Sequence, residues 1–197
     1  MKIAVLADDE QWKELTDSIT NTALVRSDSL QDAADAFIML TSISTEELLH
    51  WQKPVLLNSV NTTLKELGTA VNVCRINGWN SFLQRKTWEV AGAITVEMKQ
   101  VLDTLQKQYI QVADEEGLVA ARPVSMIINE AYFALGEAVS TKEEIDIAMK
   151  LGTNYPFGPF EWAEKIGVKN VYALLALLSK TDKRYLPAPL LQKEATA

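Results

Sequence analysis

The chain has 197 residues, 48% of them apolar and 23% charged, the mix of an ordinary soluble globular protein with room for one large domain or two small ones. That much apolar surface excludes a mainly disordered chain, and no apolar run approaches the roughly 20 residues that span a bilayer, so no membrane partner is expected. The net charge of −7 excludes the basic footprint of a nucleic-acid binder, and a single cysteine excludes a disulfide framework and suits a reducing cytoplasm. Met1 to Ala7 runs into Asp8, Asp9 and Glu10 too soon for a secretory leader. One histidine, His50, and one cysteine, Cys74, cannot build a two-histidine or structural zinc site.

In chain order, Ile3-Ala4-Val5-Leu6 reads as a buried strand, followed by a helix from about Glu10 to Thr20. Ala23 to Arg26 is a short second strand, Ser29 to Ala34 a brief helix or turn, and Ala36 to Leu40 a third strand. Ser44 opens a helix, with Glu47 at the capping-box position. Lys53 to Asn58 is a fourth strand, Thr63 to Leu67 a short helix and Val71 to Ile76 a fifth strand. Strands buried on both faces and alternating with helices predict a parallel α/β sheet. Trp88 to Ala91 reads as a strand or extended segment, Thr95 to Gln108 as a helix with Val96, Met98, Val101, Leu102 and Leu105 at helical spacing, and Tyr109 to Ala113 as a last strand.

The character changes after Asp114. Met126, Ile127, Ala131, Ala134, Leu135 and Ala138 mark a long helix. Ser140, with Glu143 in the capping-box position, predicts the start of a helix that Gly152 ends. Tyr155 to Phe160 is a rigid aromatic loop, and helices follow from Glu161 to Ile166 and from Val168 to Ser179. The boundary falls near Glu116, giving an α/β domain over 1–116 and a helical domain over 117–197.

Glu144 to Glu161, which contains Ala148-Met149-Lys150-Leu151-Gly152-Thr153-Asn154-Tyr155-Pro156-Phe157-Gly158-Pro159, closely resembles the C-terminal domain of the 3-hydroxyacyl-CoA dehydrogenase family. Gly117 to Arg122, Asn129-Glu130-Ala131 and Tyr185 to Leu191 fall where that family has its interdomain turn, first long helix and closing segment. In the first half, Asn61-Thr62-Thr63-Leu64 resembles the family's Asn-Thr-Ser-Ser segment. Asn77-Gly78-Trp79-Asn80 is similar to its His-Phe-Phe-Asn segment, and Glu89 falls where it keeps a His-orienting Glu. The resemblance implies a trimmed Rossmann-like domain followed by a helical domain of the 6-phosphogluconate-dehydrogenase-C-terminal-like kind. It also implies fatty-acid or acyl-CoA metabolism, NAD as the family's cofactor, hydride transfer at the 3-hydroxyl carbon with a His–Glu pair, and a homodimer through the helical domains.

Three departures from that pattern bear on activity. The Gly-rich turn that lets a backbone approach a pyrophosphate at a helix N-terminus is replaced by Ala7-Asp8-Asp9-Glu10-Gln11-Trp12, whose carboxylates would repel it, so no cofactor is expected. Asp28 has the spacing of a ribose-binding acid and, without the loop, is a surface turn residue. Asn77 stands in place of the family His and cannot act as a general base. Glu89 is then either a structural carboxylate, hydrogen-bonded to Asn77, or the base itself if burial raises its pKa. Ala121 stands in place of the Asn before Arg122, and Thr62 keeps a hydroxyl where the family has a Ser. Between Val25 and Ala36 the chain is shorter than the family pattern, in the part that carries a further strand and a coenzyme A contact.

The candidate site is therefore Glu89, Asn77 and Thr62 for chemistry, with Asn80 and Ala121 at the substrate. Cys74 is expected to be an inert buried thiol and His50 a surface or half-buried residue. Trp79 and Trp88 flank the old catalytic segment and are candidates to fill the vacated cofactor space, and Lys180, Lys183 and Arg184 form a solvated basic end. The readings this leaves are a non-catalytic acyl-CoA-binding or scaffold homologue, a divergent active NAD-dependent dehydrogenase, and a structural subunit of another acyl-CoA enzyme.

Overall fold

The computed structural model describes residues 1–19, 23–30, 33–41, 48, 51–69 and 71–197. The helix expected from Ser44, and His50 with it, lies outside these residues, as does the expected helix end at Thr20. Two compact units are present, Met1–Leu118 and Val119–Ala197.

The first unit is a seven-stranded sheet. Its strands are β1 (Ile3–Leu6), β2 (Leu24–Arg26), β3 (Ala36–Met39), β4 (Val55–Asn58), β5 (Val73–Ile76), β6 (Thr87–Ala91) and β7 (Gln108–Val112), in the order β2-β1-β3-β4-β5-β6-β7. Ile3, Val5, Ile38, Leu56, Cys74 and Ile76 share one face and pack with Leu15 of α1 (Asp9–Ser18) and Met98, Val101 and Leu102 of α3 (Val96–Thr104). Ala4, Leu6, Phe37, Met39, Val55, Leu57 and Val73 share the other. Burial on both faces explains why these strands read as unbroken apolar runs.

The sheet departs from the all-parallel reading at one place: β6 pairs antiparallel with β5. The segment 77–86 between them holds turns and no crossover helix, and a chain that short can only return antiparallel. From β1 the chain steps to β2 on one side and then to β3 on the other, which puts the topological switch point between β1 and β3. β2 is an edge strand, consistent with the shortened stretch that follows it.

Lys107, just before β7, is only 6% exposed. Its ammonium donates to Ser18 Oγ at 3.0 Å, Leu83 O at 2.9 Å and Arg85 O at 2.9 Å, and it lies 4.9 Å from the centre of the Trp88 ring. Burial lowers its pKa to about 8, opposed by the Glu14 carboxylate.

The second unit contains α4 (Ala121–Gly136), α5 (Lys142–Thr153), α6 (Pro159–Ile166), α7 (Val168–Leu178), a 3-10 turn (Lys183–Tyr185) and α8 (Pro189–Thr196). Two expected helix ends shift. The N-cap of α5 is Thr141, not Ser140: the Thr141 hydroxyl accepts Glu144 N at 3.3 Å, and the Glu144 carboxylate takes Thr141 N and the Ser140 hydroxyl. Two adjacent hydroxyl residues each precede a Glu at the same spacing, so the sequence left a one-residue ambiguity. Gly152 lies inside α5, and the helix ends on Asn154, whose φ of 57° is left-handed and which asparagine adopts more readily than most residues.

The aromatic loop of the signature is a capping device. The buried Asp146 carboxylate accepts Phe160 N at 2.8 Å and Glu161 N at 3.1 Å, and Glu161 in turn accepts Gly158 N at 2.9 Å. A Cβ on Gly158 would lie 2.3 Å from Asp146 Cγ, so glycine is required for the carboxylate to reach the helix. Among the described residues no helix is long and apolar enough to cross a membrane.

Two outcomes follow for stability. Asp146→Ala leaves two buried amides unsatisfied and is expected to cost about 2–3 kcal/mol in urea unfolding. For Lys107, the unfolded chain holds its proton up to about pH 10.4 while the native ammonium releases it near 8. The unfolded state binds more protons in that window, so this residue's contribution to stability rises with pH from about 8 to about 10.5. The unfolding free energy of wild type relative to Lys107→Met is expected to grow by about 2–3 kcal/mol across it. A flat difference would mean the buried ammonium carries no desolvation cost.

Candidate functional site

In open α/β sheets ligands sit outside the carboxyl ends of the strands at the switch point. Here that edge is occupied by the chain itself. The Asp8 carboxylate accepts Gln11 N at 2.8 Å, and Gln11 Oε1 accepts Asp8 N at 3.3 Å, a reciprocal cap on α1. Asp9 pairs with Arg26 at 2.7 Å, and Arg26 also donates to Ala7 O at 3.1 Å. Glu10 accepts the Asn80 amide at 2.8 Å. The acidic residues at the start of α1 are thus committed to internal partners.

Gln11 is 7% exposed and donates from Nε2 to Leu40 O at 3.4 Å and Gly78 O at 3.3 Å. Asn58, at the end of β4, donates to Leu40 O at 3.0 Å and accepts Gly78 N at 3.0 Å. Two amide side chains therefore lace together the carboxyl ends of β3, β4 and β5. Trp88 belongs to the main core, where its Nε1 donates to Leu83 O at 3.1 Å. Asp28 is exposed in a bend.

Asn77 follows β5 and is buried at 6% exposure. Its Oδ1 accepts Trp79 N at 3.2 Å, and its Nδ2 has no hydrogen-bond partner among the described residues. The antiparallel pairs Arg75↔Ala91 and Ile76↔Val90 run toward Asn77 and Glu89 as the next opposed residues. The expected hydrogen bond from the Asn77 side chain to Glu89 is nevertheless not made, because its one side-chain donor, Nδ2, is unpartnered. Glu89 acts on the Arg85 guanidinium, whose pKa burial lowers and Glu89 raises. Asn80 is at the surface, held by Glu10 as above.

Thr62 contributes its backbone to the site. Its carbonyl accepts Arg75 Nη1 at 2.8 Å and the Ser59 hydroxyl at 2.7 Å. Arg75 is fully buried, and its guanidinium also donates to Ser59 O at 2.7 Å and Glu115 O at 2.9 Å and pairs through Nε with Asp114 at 2.8 Å. Asp114 in turn accepts Leu64 N at 3.1 Å and Lys65 N at 3.2 Å, at the start of α2 (Leu64–Leu67). Sequence reading missed this hub: an Arg inside an apolar strand is a signal for a buried partner, but nothing in the spacing points to Asp114. Cys74, on the opposite face, donates to Ala93 O, and burial raises its pKa to about 11, an inert thiol. Ala121 is buried at the first turn of α4. Among the described residues no group of His, Cys, Asp or Glu is placed to hold a metal ion.

Residues 117–197 match the family described as 3-hydroxyacyl-CoA dehydrogenase, C-terminal domain. It is 42% identical over 91 residues to 3-hydroxyadipyl-CoA dehydrogenase of Escherichia coli K12, covering 45% of this chain and 19% of that protein. It is 37% identical over 101 residues to 3-hydroxybutyryl-CoA dehydrogenase of Bradyrhizobium diazoefficiens, covering 50% of this chain and 34% of that one. The matched part is thus well under half the length of these relatives. In fold, the chain is similar to (S)-3-hydroxybutyryl-CoA dehydrogenase from Ralstonia eutropha, with a TM-score of 0.69, 24% identity, and coverage of 88% of this chain and 70% of that one. The Escherichia coli 3-hydroxybutyryl-CoA dehydrogenase gives 0.68 at 22% identity, covering 87% of this chain and 42% of that one. These structures share a Rossmann-like domain and a helical C-terminal domain with this chain.

Removing Arg75 tests the hub. Arg75→Met leaves Asp114 beside a buried apolar side chain and the Ser59 and Glu115 carbonyls without their guanidinium donor, while Thr62 O keeps only the Ser59 hydroxyl. The expected loss is about 3–5 kcal/mol of unfolding free energy, while Lys65→Met, on the surface of α2, is expected to cost under about 0.5 kcal/mol.

Proposed function

We infer that the chain is a non-catalytic member of its family: an acyl-CoA-binding or scaffold homologue that does not use NAD. The observation that carries this reading is the Asp8 carboxylate on the N-terminus of α1. A pyrophosphate needs those amide groups and a backbone it can approach closely. Here an anion of the chain's own sits at the helix start and takes the Gln11 amide, the Gln11 side chain lies buried behind it, and no glycine opens the turn. The residues present do not fit the dinucleotide. Asn77 adds support, since an amide cannot carry a proton to or from a 3-hydroxyl group near neutral pH.

The relatives' names concern acyl-CoA thioesters, and we assign the same ligand class to this chain. We also infer a homodimer through the helical unit. On α5, Ile147, Ala148, Leu151 and Gly152 are all exposed and lie on one stripe at helical spacing, with Leu151 at 83% exposure. An apolar stripe of this kind favours burial against another surface. A cytoplasmic setting suits the single, buried, free cysteine.

The test is separate calorimetric titration with NADH and with acetoacetyl-CoA, with NADH oxidation followed in the same samples. Binding of the acyl-CoA alone is the expected result. NADH binding with oxidation would overturn the reading in favour of a divergent dehydrogenase. Silence toward both, together with co-purification of an acyl-CoA enzyme, would overturn it in favour of a structural subunit. For the dimer, sedimentation is expected to give twice the chain mass for wild type and a folded monomer for Leu151→Glu.

A further inference from the structure

The packing at the end of β4 requires glycine at position 78, and that requirement creates a chemical liability. A Cβ there would lie 2.7 Å from Asn58 Cβ and 2.9 Å from Leu40 Cδ2, so a side chain does not fit. The residue before it is Asn77, which makes 77–78 the one Asn-Gly step of the chain. An asparagine side chain can close a succinimide ring with the backbone nitrogen of the next residue, and glycine, with no Cβ, hinders that approach least.

In that reaction the Gly78 nitrogen bonds to Asn77 Cγ, the Cγ–Nδ2 bond breaks, and Nδ2 leaves as ammonia with the proton from the Gly78 amide. Water then opens the ring on either side of the nitrogen, leaving aspartate at 77 or an isoaspartyl link to Gly78. The leaving group is unrestrained, since among the described residues Asn77 Nδ2 has no hydrogen-bond partner. The nucleophile is restrained. Gly78 N donates to Asn58 Oδ1 at 3.0 Å, and Gly78 O accepts Gln11 Nε2 at 3.3 Å. Asn58 is itself anchored by donation to Leu40 O at 3.0 Å. While the Asn58 bond is made, the Gly78 proton is held and the peptide is not free to swing toward Cγ.

We propose that Asn77-Gly78 is a latent self-modification site, open to deamidation, and that Asn58 is its guard. Asn58 plays two parts: its packing imposes glycine at 78, and its carbonyl oxygen restrains the nitrogen that glycine leaves unhindered. The only co-reactant is water. The product is a carboxyl group at a position 6% exposed, where the strand register brings Glu89 as the next opposed residue. A second carboxylate at this edge is disfavoured by burial and by like charge, so conversion loosens the turn that follows β5. The inference stands apart from the reading of the chain as non-catalytic.

The test ages the full chain in mildly alkaline buffer and follows the peptide that carries Asn77 by mass spectrometry, as the gain of an amide-to-carboxyl change, with chromatography separating aspartyl from isoaspartyl product. Wild type unfolded in urea is expected to convert to both products, and folded wild type to convert far more slowly. Folded Asn58→Ala, which loses the acceptor for Gly78 N, is expected to convert about tenfold faster than folded wild type. Asn58→Asp keeps that acceptor and is expected to stay as slow as wild type. Should Asn58→Ala fail to fold by circular dichroism, wild type in graded urea below its unfolding transition takes its place, and conversion is expected to rise in step with amide exchange at Gly78. No conversion even in the unfolded chain would remove the site. Folded wild type converting as fast as unfolded, Asn58→Ala no faster than wild type, Asn58→Asp as fast as Asn58→Ala, or conversion in urea that ignores Gly78 exchange would each overturn the guard.

Discussion

The carboxyl edge of the α/β sheet presents a polar debt that has to be met from somewhere. The first amides of α1 and the carbonyls that follow β3, β4 and β5 have no partners within their own helix or strands. In a protein built around a dinucleotide at this edge, the ligand supplies some of them. In this chain side chains supply them. Asp8 caps α1, the Gln11 and Asn58 amides serve Leu40 and Gly78, and Arg75 serves Ser59, Thr62 and Glu115. Each of these groups is spent inside the fold, which is what the proposed loss of dinucleotide binding rests on.

Arg75 sets the other half of the same edge. A guanidinium with no exposure needs buried acceptors, and it finds three carbonyls and a carboxylate in two stretches far apart in sequence, 59–62 and 114–115. Asp114 completes the arrangement by capping α2 while pairing with Arg75. The turn that carries Thr62 is thereby fixed to the end of the α/β unit. The helical unit keeps its family signature for an equally local reason. Asp146, Gly158 and Glu161 form one capping assembly for α6, which is retained whatever the first unit does, because without it the helix start would be buried unsatisfied.

How much of this was legible in the sequence depends on where the signal lies. The strands Ile3–Leu6, Ala36–Met39 and Val55–Asn58 announce themselves as apolar runs because both faces are buried. The helical unit was legible through its motif. The direction of β6 was not, since alternation reports burial and not orientation. Asp8 and Gln11 have the three-residue spacing of a capping box, so the cap itself could have been read. The second use of Gln11, reaching Leu40 and Gly78, could not, because an amide on a first helical turn looks like any surface glutamine until the fold brings distant loops to it. The same holds for Arg75 and Asp114, whose partnership spans 39 positions and leaves no periodic trace.

The central claim is that the N-terminus of α1 is closed to a dinucleotide by the chain's own carboxylate. The most direct measurement is a 15N–1H spectrum of the wild-type protein titrated with NADH, following the backbone amides of Asp9, Glu10 and Gln11. The account predicts that these amides stay where they are at millimolar NADH. Saturable shifts confined to them would show the pyrophosphate displacing Asp8 from the helix, and would contradict it.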